Sequence, residues 1–145
     1  MAAKLYKVGD VIDGNLKLTE KIGEGVFLSK NVDMPELKYV VKIFDKLKMN
    51  QADIADYKRE ICIMKKLSGH PNIVQYINNF ETANYHYLIM EYYETDLFDV
   101  IVEIDGLETS LVKRIFSDIT QGLNYAHQNG IYHRYIKVSQ KLTNY

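Results

Sequence analysis

The chain has 145 residues, is 47% hydrophobic and carries a formal charge of −1, which excludes a disordered chain and gives no sign of a nucleic-acid or anionic-membrane partner. Cys62 is the only cysteine, so a disulfide framework is excluded and a reducing, intracellular setting (cytoplasm or nucleus) is expected. No signal-peptide pattern opens the chain, and no stretch approaches the ~20 apolar residues of a membrane span.

Leu16, Leu18 and Ile22 alternate loosely with Lys17, Thr19 and Lys21, which predicts a strand over residues 16–22. The strand runs into Gly23-Glu24-Gly25-Val26-Phe27. Two glycines between extended segments predict a tight turn whose backbone can approach a ligand. Such a turn is either an ordinary hairpin or a cradle whose N–H groups hold phosphate oxygens. Residues 28–31 read as the returning strand, and Asp33-Met34-Pro35-Glu36 as a connection. Residues 37–44 form a strongly β-forming run interrupted by Lys42. An unpaired ammonium is costly to bury. Lys42 therefore either snorkels to solvent or reaches a phosphate and an acidic partner.

Residues 51–67 read as a helix, because Ile54, Tyr57, Ile61, Met64 and Leu67 recur at spacings of three and four. Glu60 lies beside that apolar face, as an exposed pairing residue or as the partner of Lys42. Cys62 falls among apolar neighbours in the same pattern and is expected to be a buried structural thiol. Gly69 and Pro71 close the helix. Residues 73–80 and 85–90 predict two more strands around a polar turn. His70 and His86 have no partner at metal-ligand spacing and read as structural or exposed. Residues 91–95 are a connector, and 96–103 a short helix with Asp96 as its N-cap.

The strongest helical signal runs from Thr109 to Asn129. Leu111, Ile115, Ile119 and Leu123 recur every fourth residue, and Val112, Phe116 and Ala126 widen the stripe. Gly130 ends the helix. The chain then reads Ile-Tyr-His-Arg-Tyr-Ile-Lys-Val-Ser-Gln over 131–140.

Taken together, these motifs resemble the first half of a eukaryotic-type serine/threonine protein kinase over roughly residues 10–140. Gly23 to Phe27 resembles the Gly-rich loop, Tyr39-Val40-Val41-Lys42 the V-A-I-K strand, and Glu60 the glutamate of the C helix. His70-Pro71-Asn72-Ile73-Val74 is similar to a segment common in that family. His133, Arg134, Ile136 and Lys137 fall where the catalytic loop H-R-D-L-x-x-x-N wants them. The resemblance implies an α+β fold: an N-lobe of about five antiparallel strands with a C helix (12–90), a hinge (91–95), then a short D helix and a long E helix of an incomplete C-lobe (96–145). It also implies an ATP cleft formed by Ile22, Gly23, Gly25, Lys42, Glu60, the gatekeeper Met90, the hinge residues Glu91 and Tyr93, and Asp96. Lys42 pairs with the phosphates in such a cleft while Glu60 holds its ammonium.

Four departures bear on activity. Tyr135 takes the place of the catalytic aspartate, and a phenol with a reference pKa near 10 is neutral and bulky there. Gln140 replaces the metal-binding asparagine. No Asp-Phe-Gly follows, so magnesium is not expected. Leu28 replaces the third glycine, Lys30 the valine over adenine, and Val40 a small alanine, so ATP is expected to bind weakly at best. The expectation is a catalytically inactive, kinase-like nucleotide- or protein-binding module, with no intact catalytic residue and no metal. The alternative is a remnant or truncated product of a longer kinase gene, and an active phosphotransferase is the least favoured reading. The broad stripe on the helix from Thr109 to Asn129 implies an exposed apolar face for a protein partner to cover.

Overall fold

The computed structural model describes residues 6–103, 108–134 and 136. The chain divides into two compact units, residues 1–62 with 76–92 and residues 63–75 with 93–145.

The first unit is built on a six-stranded antiparallel sheet. Its strands are β1 (Val11–Ile12), β2 (Leu16–Gly23), β3 (Val26–Asn31), β4 (Lys38–Asp45), β5 (Tyr76–Glu81) and β6 (Tyr85–Glu91), in the order β1-β2-β3-β4-β6-β5. The strand beyond the five expected is the two-residue β1. It is tied to β2 by a turn in which Asp13 (φ 49°) and Gly14 (φ 74°) both take positive φ, as an Asp-Gly hairpin turn requires.

Alternation along the strands sorts the side chains onto two faces. One face carries the main core, in which Leu16, Leu18, Phe27, Val41, Tyr87 and Ile89 are buried together. The other face carries the intervening positions, including Leu28, Val40, Lys42, Leu88 and Met90. Helix α1 (Gln51–Leu67) packs on this second face. Its first turn is closed reciprocally: Asn50 Oδ1 accepts from the Ala52 and Asp53 amides, and Asp53 Oδ2 accepts from the Asn50 amide. Tyr57 anchors it. The Tyr57 ring stacks on His86 at 4.5 Å and meets Phe44 edge-on at 4.9 Å. Its hydroxyl donates to the Tyr87 carbonyl.

Cys62 is exposed, not the buried thiol expected from the sequence. At ~100° per residue, it is carried off the face that Ile61 and Met64 share.

The second unit contains the last turns of α1, the short helix α2 (Leu97–Glu103) and the long helix α3 (Thr109–Gln128). Asp96 caps α2, its carboxylate accepting from the Asp99 amide at 2.9 Å. The segment expected to open a strand at Ile73 is instead a loop. The Gln75 side chain accepts from the Gly69 amide and donates to the His70 and Ile73 carbonyls, which holds the chain out of the ladder. Helix α3 packs on this loop. The Tyr125 ring stacks on His70 at 4.7 Å, and Lys66 Nζ donates to the Asn129 carbonyl at 2.6 Å. Gly122 permits the close approach, since a Cβ there lies 2.7 Å from the Asn72 carbonyl oxygen.

Two outcomes follow. Gly122→Ala is expected to lower stability by about 1–3 kcal/mol in chemical denaturation through overpacking, although alanine is the better helix former by ~1 kcal/mol. Burial, helped by the nearby Lys46 and Lys58 charges and opposed by Glu81, pushes the His86 imidazole below its ordinary 6.5. The neutral ring therefore contributes stability that is complete above 6.5 and is lost as pH falls through the lowered folded value. Between pH 7 and 5.5 the melting temperature of His86→Phe, which keeps the stack without a proton site, is expected to fall less than that of the unaltered chain.

Candidate functional site

The centre of the first unit's second face is an ion pair. Lys42 stands in the middle of β4, and its Nζ donates to Glu60 Oε1 of α1. The two side chains are 15% and 26% exposed, so Lys42 does not snorkel to solvent. The helix supplies the partner because Glu60 lies one turn beyond Tyr57, whose ring contacts fix the helix against the sheet.

The glycine turn reaches toward the same strand. Gly23 and Val26 close a two-residue turn of Glu24 and Gly25. Gly25 takes φ 66°, and its carbonyl accepts from the Ile43 amide at 2.7 Å. A Cβ at Gly25 lies 2.7 Å from the Ile43 carbonyl oxygen, so only glycine fits there. Ile22 and Gly23 end β2 beside this turn.

Next to the ion pair the face is filled. Leu28, Val40 and Met90 stand directly opposite one another across β3, β4 and β6. Their exposures are 9%, 1% and 2%. Further along, Lys17, Lys30 and Lys38 form a second cross-strand row. The Lys38 ammonium lies 5.5 Å from the centre of the Tyr92 ring. Glu91 pairs in register with Tyr39 at the end of β6. This face thus offers a held cation at one end and bulky or cationic side chains along the rows beside it.

In the second unit, Tyr93 is half-buried and Asp96 is buried as the cap of α2. His133 is half-buried, and burial pushes its imidazole below the ordinary value. Arg134 is exposed and holds a left-handed φ of 66°, uncommon for a residue with a side chain. Tyr135, Lys137 and Gln140 lie outside the described residues. Among the described residues, no three His, Cys, Asp or Glu side chains gather to hold a metal ion, and no helix is long and apolar enough to cross a membrane.

Comparison with known proteins agrees with this geometry. The family profile described as "Protein kinase domain" matches residues 16–144. The chain is 33% identical over 129 residues to a probable serine/threonine-protein kinase MARK-A of Dictyostelium discoideum, covering 86% of this chain and 12% of that protein. It is 30% identical over 135 residues to CBL-interacting protein kinase 31 of Oryza sativa subsp. japonica, covering 89% and 30%. An SNF1-related protein kinase catalytic subunit alpha of Arabidopsis thaliana is 32% identical over 128 residues, covering 85% and 26%. The chain thus spans less than a third of each of these relatives.

Breaking one side of the ion pair removes the carboxylate that holds the Lys42 ammonium. Glu60→Ala is expected to cost about 1–3 kcal/mol. Replacing both partners (Lys42→Met with Glu60→Leu) is expected to recover most of that loss in urea denaturation.

Proposed function

The chain belongs to the protein kinase family, and from that premise we propose that it is a binding module that takes ATP weakly, or a protein partner, without transferring phosphate. The observation that carries this reading is the Lys42–Glu60 pair. In phosphoryl transfer a lysine held this way pairs with nucleotide phosphates, and here the holding contact is in place. Gly23, Gly25 and Ile22 lie on the turn and strand end beside it, and Met90 and Glu91 on β6 complete the set that the first unit carries; Tyr93 and Asp96 enter by sequence position in the family pattern alone.

Weak affinity follows from the neighbouring row. A glycine and an alanine at the positions of Leu28 and Val40 leave room against the sheet, whereas two branched side chains opposite Met90 occupy it. Lys30 adds a hydrated ammonium where an apolar contact to a base is wanted. The triphosphate is accordingly the better-recognised part of the nucleotide.

Lack of transfer follows from Tyr135. A neutral phenol cannot orient and relieve a substrate hydroxyl as an aspartate does. Gln140, in place of the metal-binding asparagine of the family pattern, leaves magnesium with no assigned role. The partner half of the proposal rests on α3, where Val112, Phe116 and Ile119 are 40%, 70% and 39% exposed. The single cysteine supports an intracellular setting.

Thermal denaturation with millimolar ATP tests the nucleotide half. The expected result is a small rise in melting temperature, equivalent to about 0.4 kcal/mol when ligand equals its Kd. It should be unchanged by magnesium and absent in Lys42→Met. No rise at millimolar ATP removes nucleotide binding from the proposal. Incorporation of labelled phosphate into a generic protein substrate, abolished by Lys42→Met, overturns the inactive reading.

A further inference from the structure

The first unit carries a groove that adjoins the proposed nucleotide cleft and shares Gly25 and Glu60 with it. It lies where the glycine turn, the end of β4 and the first half of α1 converge, with an accessible volume of about 490 Å³, within the ~300–1,000 Å³ typical of ligand pockets. Its floor is apolar and aromatic, formed by Phe27, Ile43, Phe44, Tyr57 and Tyr85, with Tyr6 and Met49 at the sides. Its rim is acidic. Glu24 stands on the glycine turn, Asp45 at the end of β4, and Asp53, Asp56 and Glu60 on the helix, against Lys21 and Lys48.

The helical carboxylates are ordered. Asp53, Asp56 and Glu60 follow one another at spacings of three and four, which places them on one helix face as a stripe about 10 Å long. Glu60 is neutralised by Lys42, and Asp56 pairs with the exposed Arg59 at 2.8 Å. Asp53 and Asp45 accept backbone amides, of Asn50 and Leu47. These bonds orient the two carboxylates without cancelling their charge. Glu24 is exposed on the opposite wall.

We propose that this groove docks an extended polypeptide segment carrying aromatic side chains flanked by lysine or arginine. The apolar floor takes the aromatic groups, and the two acidic walls take the flanking cations. Residues in an extended segment are spaced ~3.3 Å apart, so cations three residues apart match the length of the helical stripe. The proposal does not require nucleotide binding, although Gly25 and Glu60 line the groove and also belong to the proposed nucleotide set.

The test is fluorescence anisotropy with the whole chain and three labelled pentapeptides, Lys-Phe-Phe-Lys-Lys, Glu-Phe-Phe-Glu-Glu and Lys-Ala-Ala-Lys-Lys. Saturable binding of the first is expected, at least ten-fold tighter than either counterpart. Glu24→Gln with Asp56→Asn, both surface changes, is expected to weaken the first peptide three- to ten-fold. Glu108→Gln, outside the groove, is expected to leave it unchanged. Equal binding of the acidic peptide overturns the charge argument, and equal binding of the alanine peptide reduces the site to counter-ion attraction. Absence of saturation, or no loss in the double variant with circular dichroism unchanged, overturns the proposal. The peptide series on the unaltered chain decides the matter even if the variant fails to fold. Peptide binding without an ATP-induced thermal shift upholds the groove and removes only the nucleotide reading.

Discussion

A lysine in the middle of an apolar strand is the constraint to which the first unit answers. β4 is made of β-forming residues on both faces, and Lys42 sits where both neighbours along the strand are half-buried or buried. An ammonium in that position needs a carboxylate within reach. Glu60 provides it only because α1 is held in one rotational setting. That setting comes from Tyr57, whose ring is packed against Phe44 and His86 and whose hydroxyl reaches the Tyr87 carbonyl. A partly buried ion pair is in itself weak evidence of stability. Aromatic packing therefore places the helix, and the ion pair makes that placement the one in which no charge is left alone.

The same strand argument explains how the second face can differ from the family pattern without loss of the fold. Phe27, Val41 and Ile89 belong to the main core, while their neighbours Leu28, Val40 and Met90 point to the other face. Substitution on the second face leaves the first intact. Leu28 and Val40 stand where the family pattern has a glycine and an alanine, and they bury apolar surface at ~25 cal/mol per Å², so the sheet gains cohesion on this row. Under the proposed reading, stability on this row comes at the expense of nucleotide affinity, whereas Lys42, one strand step further along, keeps its partner.

Much of this was legible in the sequence. The spacing of Ile54, Tyr57, Ile61, Met64 and Leu67 gave α1 its observed bounds, and the fourfold recurrence of Leu111 to Leu123 gave α3. The pairing of Lys42 with Glu60 was not legible from spacing, since a strand and a helix joined by a loop can meet in many registers. It came from the order of the motifs. Ile73 and Val74 looked like a strand because hydropathy does not register one glutamine side chain claiming three backbone groups. β1 was missed because two residues carry no period, although Asp13-Gly14 was a usable turn signal. Cys62 was misplaced because apolar neighbours in sequence are ~100° apart on a helix. The groove was invisible, as its walls come from segments far apart in the chain.

Helix α3 shows why a broad apolar stripe is hard to read in advance. Gly122 and Tyr125 face the loop of residues 68–75 through a missing Cβ and a stacked ring, and Asn129 accepts a hydrogen bond from Lys66 at the end of α1. Val112, Phe116 and Ile119 form a second stripe roughly 100° around the helix, and they are exposed. A helix serving one surface needs only the first stripe. The second adds apolar area that costs solubility while it faces water, and it lies toward the N-terminal half, away from the glycine that permits close packing. The two stripes are therefore separate features: one is spent on folding the unit, and the other stands exposed.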